Sequence, residues 1–196
     1  MQPFPYLGFF KQLLPYEDII RYHYSIPKYV WTDRCSPLDG TVHSHRPTEE
    51  VVQSTLYSKQ NASYKELVVK HLNFFSDEWF SAVGALNTDY QAKIFCTQPG
   101  NTEPPHKDFF PGFLGHTNDK GDIYNQKEID QLGKKIIRCW IPLMDSKIGH
   151  LLYSDNYALS SWKLGDVYEL PSGTSHGFVN AGREDRYVLV FTGWRS

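Results

Sequence analysis

The stretch "PSGTSHGFVNAGREDR" (171–186) decides the fold. Read from Gly165, the chain follows the pattern G-x5-P-x-G-x2-H-x3-N, in which the histidine is His176 and the asparagine is Asn180. Glycine and proline at these positions favour tight turns between short strands. We therefore predict that His176 enters a strand just after a turn, where its ring can point into the mouth of a barrel.

Strand-like segments follow one another along the second half of the chain. Each is short, apolar and bounded by turn residues, which is typical of a sandwich or barrel. With the pattern around His176, they resemble the cupin superfamily, which carries the same spacing in its second sequence signature. The resemblance implies a mainly β fold with N-terminal helices, built on a double-stranded β-helix or jelly roll. The segments are "AKIFCTQ" (92–98), "KIIRCWIPLM" (135–144), "HLLYS" (150–154), "DVYEL" (166–170) and "RYVLVFTGW" (186–194).

The N-terminal part of the chain has a different character. We interpret the chain as a single domain in which a helical and irregular part, 1–90, packs on a jelly-roll core, 91–196. The segment "SYKELVVKHLNFFSDEWFSAVGAL" (63–86) has apolar residues at spacings of three and four, which predicts one amphipathic helix. Ser63 and Glu66 would form a capping box at its start. A polar segment, 111–135, interrupts the strands as a candidate lid or substrate loop.

Composition narrows the class of protein. A net charge of -2 over 196 residues argues against nucleic-acid and membrane-surface partners, which select basic faces. No apolar run approaches the length that would span a bilayer. Three cysteines without a CxxC motif predict reduced thiols in a cytoplasmic protein, with Cys96 and Cys139 as small core residues.

A metal site at His176 needs further ligands from an earlier strand, and two candidate sets exist. The segment "PPHKDFF" (104–110) offers His106 and Asp108, a His-x-Asp pair. Residues i and i+2 of a strand point to one side, so this pair can chelate one ion together with His176. We favour this set because it follows a strand-like run and a Pro-Gly turn in the β part of the chain.

The second candidate set lies before the predicted helix. The segment "HSHRPTE" (43–49) resembles the first cupin signature, a His-x-His followed by a glutamate, and no convincing strand surrounds it. With His176 it would make a cupin-type metalloenzyme that does not use 2-oxoglutarate. A jelly-roll binding protein with a vestigial site is the third reading. The residues of the second set are His43, His45 and Glu49.

Two histidines and one carboxylate are typical of non-haem Fe(II) oxygenases. Ten residues after His176, Arg186 opens the last strand-like run, and a buried guanidinium there needs a partner, for which its planar fork suits a carboxylate. These features resemble the 2-oxoglutarate/Fe(II)-dependent oxygenases, nearest the aspartyl/asparaginyl β-hydroxylase-like branch. The resemblance implies that His106, Asp108 and His176 bind Fe(II) and that Arg186 anchors the 2-oxoglutarate cosubstrate.

The same resemblance implies the reaction. A dioxygenase of this kind uses O2 to hydroxylate an unactivated C–H and releases succinate and CO2; the substrate would be an amino-acid-like small molecule or a protein side chain. A hydroxyl from Thr97 or Tyr153 would help Arg186 to hold the cosubstrate. Other expected members of the substrate or cosubstrate pocket are Arg138, which matches an arginine of the branch, Trp140 and Phe109, with Phe110 and Phe113 nearby.

Overall fold

The computed structural model describes residues 3–25, 32–35, 63–68, 74–87, 90–108 and 135–196. Within these residues, two short helices, α1 (Tyr16–Ser25) and α2 (Asp77–Val83), and a 3-10 turn at Lys11–Leu13 accompany eleven strands. The strands are β1 (Tyr6–Phe9), β2 (Thr32–Cys35), β3 (Ser63–Val68), β4 (Gln91–Thr97), β5 (Thr102–Lys107), β6 (Ile136–Pro142), β7 (His150–Ser154), β8 (Tyr157–Leu159), β9 (Asp166–Glu169), β10 (Ser175–Asn180) and β11 (Arg186–Trp194).

The strands form two antiparallel sheets. One sheet has the order β1-β9-β6-β11-β4-β3-β2, and the other has the order β5-β10-β7-β8. From β4 onward the chain passes back and forth between the sheets, so that β4, β6, β9 and β11 lie in one and β5, β7, β8 and β10 in the other. This alternation is the double-stranded β-helix, and it confirms the mainly β, jelly-roll prediction.

Two apolar cores lie on opposite faces of the seven-stranded sheet, because neighbouring residues of a strand point to opposite sides. The outer core joins the sheet to the helices, with Cys139 and Phe191 against Trp79 and Ile19. Cys96 and Cys139 are buried in it, as the sequence predicts. The inner core lies between the two sheets and includes Trp140, Leu152, Trp162, Val188 and Val190.

The prediction of one helix over 63–86 is wrong at its N-terminal end. Ser63–Val68 is strand β3, and it pairs with β4 so that Leu67 lies opposite Ile94. The Ser63–Glu66 capping box is therefore absent, because both residues lie in the strand. Partners distant in the sequence decide the structure of such a short apolar run, and these overrode the helical spacing.

The true helix of this segment is α2, whose ends carry ordinary caps. The Ser76 hydroxyl accepts a hydrogen bond from the Trp79 N–H at 3.2 Å, and the helix ends at Gly84, whose φ of 70° is left-handed. Three strands, β1 to β3, come from the part before residue 90 that we expected to be helical and irregular. That part therefore extends the same sheet that forms one wall of the jelly roll.

Several sequence predictions lie outside the described residues. These are the His43 set, Phe109, Phe110 and Phe113, and all of the 111–135 segment except Lys135. Among the described residues, no helix is both long enough and apolar enough to cross a membrane.

Candidate metal centre

The pairing of β5 with β10 brings the predicted histidines together. His176 lies opposite His106 in the antiparallel register, and their ring centroids are 4.5 Å apart. Asp108 directly follows β5, with Oδ1 at 3.7 Å from His106 Nε2 and Oδ2 at 3.5 Å from His176 Nε2. One ligand atom from each of the three residues lies within 4.8 Å of the others, so the trio could hold a metal ion.

The carboxylate of this cluster is buried and charged. Asp108 is 4% exposed, and Nη1 of Arg138 donates to its Oδ2. Burial alone would raise the pKa of Asp108, but Arg138, His176 and His106 together outweigh burial and hold that pKa well below its usual value. Asp108 is therefore ionised at neutral pH, which metal binding requires.

Both imidazoles present the same nitrogen to the cluster. Nδ1 of His176 lies 2.9 Å from the Thr174 carbonyl, so it carries the proton and donates, and Nε2 is left with a lone pair towards Asp108. Nδ1 of His106 faces away from the centre, 3.8 Å from Oε1 of Glu103. Two imidazole nitrogens and one carboxylate oxygen form the ligand set that suits non-haem Fe(II), so the residues fit that ion.

Arg186 begins β11 and is buried, at 2% exposure. Its Nη2 donates to the Thr97 hydroxyl at 2.9 Å, its Nη1 donates to the Leu151 carbonyl at 3.2 Å, and its guanidinium lies 4.7 Å above the ring of Phe178. Burial lowers the pKa of Arg186 to about 9, although nearby acidic groups raise it. Among the described residues no carboxylate lies within ion-pair distance, and Nε has no hydrogen-bond partner.

The other predicted pocket residues take separate positions. The Tyr153 hydroxyl donates to the Glu103 carbonyl at 3.3 Å, so of the two candidate hydroxyls it is Thr97 that contacts Arg186. Arg138 bridges Asp108 and the Thr192 hydroxyl, the latter at 2.9 Å. Trp140 is fully buried in the inner core.

Glu103 is the residue that sequence reasoning missed. It lies opposite Phe178, three residues before His106, whereas Phe178 lies only two residues after His176. The additional residue is a β-bulge at Pro104-Pro105, which β5 tolerates as an edge strand. The bulge turns Glu103 towards the cluster, and the Pro-Pro dipeptide was the signal that could have revealed it.

Burial also changes the chemistry of Glu103. It raises the pKa of Glu103 to about 7. His106 and Arg186 lower this pKa, whereas the carboxylate of Asp108 raises it further. Oε2 of Glu103 is buried and has no hydrogen-bond partner among the described residues. A second carboxyl group therefore lies beside the three candidate ligands, and one of its oxygens has no hydrogen-bond partner among the described residues.

No protein-family model matches the chain, and no curated protein matches it. Several of the solved structures that it resembles are described as cupin domains. A predicted oxalate decarboxylase from Thermotoga maritima is 15% identical, with 68% of this chain and 82% of that chain covered and a TM-score of 0.38. A cupin 2 conserved barrel domain protein from Salinispora arenicola is 15% identical, with 80% and 91% covered and a TM-score of 0.36.

A cupin domain from Bordetella pertussis is also 15% identical, with 58% of this chain and 95% of that chain covered and a TM-score of 0.35. These TM-scores are low, so the fold assignment rests on the strand order of the two sheets and not on the likeness. The protein is therefore a jelly roll with a candidate metal site at His106, Asp108 and His176.

Proposed function

We propose that the protein is an Fe(II)- and 2-oxoglutarate-dependent dioxygenase that hydroxylates an unactivated C–H of an amino-acid-like small molecule or of a protein side chain. The observation that carries the proposal is Arg186, a buried cation that has only neutral hydrogen-bond partners among the described residues. A buried guanidinium without an anion is costly, and a carboxylate from outside the chain would remove that cost.

A chain of contacts connects this cation with the metal cluster. The ring centroid of Phe178 lies 5.8 Å from the ring centroid of His176. The guanidinium carbon of Arg186 lies over the same Phe178 ring, 4.7 Å from its centroid. A ligand that bound a metal at His176 with one end and Arg186 with the other would lie near Phe178, which neighbours both. A short dicarboxylic keto acid has the two ends that this arrangement requires.

Each residue of the site has a defined task in this proposal. His106, Asp108 and His176 would hold Fe(II), while Arg186 and Thr97 would hold the distal carboxylate in charge-assisted hydrogen bonds. When bound, Fe(II) with 2-oxoglutarate and O2 supplies the oxidation of the C–H and leaves succinate and CO2. The inner core excludes water behind these groups.

Succinate formation tests the proposal. The native protein is incubated with Fe(II), O2 and 2-oxoglutarate and compared with His106→Ala and Arg186→Met, and Arg183→Met is the matched control because Arg183 is exposed. We expect slow succinate release without substrate in the native protein and the control, and none in the two site variants. The proposal fails if 2-oxoglutarate is neither bound nor consumed by the native protein.

The same variants separate the alternatives. A cupin-type metalloenzyme would lose its metal in His43→Ala and keep it in His106→Ala. A jelly-roll binding protein with a vestigial site would take up no stoichiometric metal. The register of His106 against His176 favours the proposed set over both.

A further inference from the structure

The two candidate histidine ligands differ in what holds their outer nitrogen. The imidazole of His176 is fixed by a backbone acceptor, the Thr174 carbonyl, at 2.9 Å from Nδ1. The imidazole of His106 has a side-chain carboxylate in the corresponding place, with Oε1 of Glu103 at 3.8 Å from Nδ1. In both rings Nε2 faces the carboxylate of Asp108.

The backbone of Glu103 is held firmly in this place. Its carbonyl accepts the hydroxyl of Tyr153 at 3.3 Å, and a Cβ on Gly177 would lie only 2.6 Å from the same carbonyl oxygen. Its side chain is 15% exposed, and Oε2 has no hydrogen-bond partner among the described residues. Buried carboxyl groups normally accept hydrogen bonds, so we expect a donor close to this one.

We propose that Glu103 is a positioning residue for the metal site, which accepts the Nδ1–H of His106 and so directs the Nε2 lone pair of that ring to the metal. The inference rests on the metal site of the proposed function. The gap of 3.8 Å closes by a small rotation of the carboxyl group, whose terminal torsion is soft. Partners of this kind fix the tautomer and the orientation of a ligating histidine.

The tautomer of His106 can be read in the metal-free protein. Long-range 1H–15N NMR of histidine-labelled protein distinguishes the Nδ1–H from the Nε2–H form. We expect the Nδ1–H form in the native protein and in Glu103→Gln, whose amide oxygen still accepts, and a shift towards Nε2–H in Glu103→Met. His176 is the internal reference, because its acceptor is a backbone carbonyl that no variant removes.

Metal affinity gives an independent readout, with Co(II) as the probe. Glu103→Met should weaken Co(II) binding by about 10- to 100-fold, which is typical for the loss of such a partner, and Glu103→Gln should restore most of it. Glu169→Gln is the matched control, because Glu169 pairs with Arg195 and does not contact the cluster. Its Co(II) affinity should equal that of the native protein.

The inference is overturned if His106 keeps its Nδ1–H form in Glu103→Met, or if that variant binds Co(II) within two-fold of the native protein. Should Glu103→Met not fold, Glu103→Ala is measured in its place. A native protein that binds no Co(II) would contradict the proposed function, and the tautomer of His106 would still decide the role of Glu103.

Discussion

Two buried arginines lie in the interior of the jelly roll and have opposite surroundings. Arg138 on β6 and Arg186 on β11 are 5% and 2% exposed, and each donates to a threonine hydroxyl. Arg138 also pairs with the Asp108 carboxylate. Arg186 contacts a carbonyl, a hydroxyl and an aromatic ring, and no carboxylate of the described residues lies within ion-pair distance of it.

The difference indicates which arginine pairs with a carboxylate of the protein and which is available to bind a ligand. Arg138 is neutralised by the chain and holds the metal-site carboxylate in its ionised form. Arg186 has no carboxylate within ion-pair distance among the described residues; burial lowers its pKa, and the more distant Glu103 acts against that. The first arginine therefore stabilises the site, and the second can bind a carboxylate that arrives from outside.

The largest expected effect is the difference in stability between variants that lack one of the two arginine charges. Arg138→Met leaves Asp108 as an unpaired buried carboxylate, and we expect the free energy of unfolding of the metal-free protein to fall by about 3–5 kcal/mol. Arg186→Met removes a buried cation that forms no ion pair among the described residues, so its change should stay within about 1 kcal/mol or be stabilising. Urea unfolding of both variants measures the two changes.

A metal ion should reduce the first effect. Saturating Co(II) supplies positive charge to Asp108 in place of Arg138, so it should restore part of the stability lost in Arg138→Met. Equal losses in the two arginine variants would mean that the comparison between them is wrong.

The hydroxyl beside Arg186 gives a smaller effect. Thr97→Val should weaken 2-oxoglutarate binding by about ten-fold, because Thr97 fixes the guanidinium that receives the carboxylate. Tyr153→Phe should change it far less, since that hydroxyl donates to the Glu103 carbonyl. Calorimetric titration of both variants measures the difference, and the reverse order of effects would assign the anchor role to Tyr153.

The smallest expected effect is on acid stability and involves His150. Its Nε2 donates to the Glu184 carbonyl at 3.2 Å, and the Lys147 N–H lies 3.3 Å from its Nδ1, so the buried ring is neutral. Burial lowers its pKa below the ordinary 6.5, the bond to Glu184 opposes this, and the charge of Arg186 lowers the pKa further. The folded state therefore binds its proton later than the unfolded state as the pH falls.

The lower pKa of His150 in the folded state decides how stability changes with pH. Stability from neutral His150 is fully present above pH 6.5 and is lost as the pH falls below it, with a slope of at most about 1.4 kcal/mol per pH unit. In Arg186→Met the pKa of His150 should rise and the loss should be smaller. NMR titration of His150 with urea unfolding between about pH 5 and 7 checks both; an unchanged pKa in the variant would show that Arg186 does not act on this ring.

Much of the jelly roll could be predicted from the sequence. The runs "HLLYS" and "RYVLVFTGW" coincide with β7 and β11, because turn residues bound each of them closely. β3 was missed because its pairing with β4 depends on a partner that lies far away in the sequence. No local spacing encodes such a pairing.

The candidate site follows the same division. The grouping of His106, Asp108 and His176 was predicted from the His-x-Asp pair and the histidine after a turn, whereas the pairing of β5 with β10 that brings them together was not. The position of Glu103 was missed, because the bulge at Pro104-Pro105 changes the side to which that strand residue points. The pairing of Arg138 with Asp108 was missed as well, since only the three-dimensional arrangement brings β6 against the end of β5.

The central claim is that Arg186 binds an external carboxylate next to a metal at His106, Asp108 and His176. Calorimetric titration of 2-oxoglutarate into the Co(II)-loaded native protein, Arg186→Met and Arg183→Met tests it most directly. We predict one binding site in the native protein and the Arg183 control, and at least about 100-fold weaker binding in Arg186→Met. Equal binding in Arg186→Met, or no binding to the native protein, would contradict the claim.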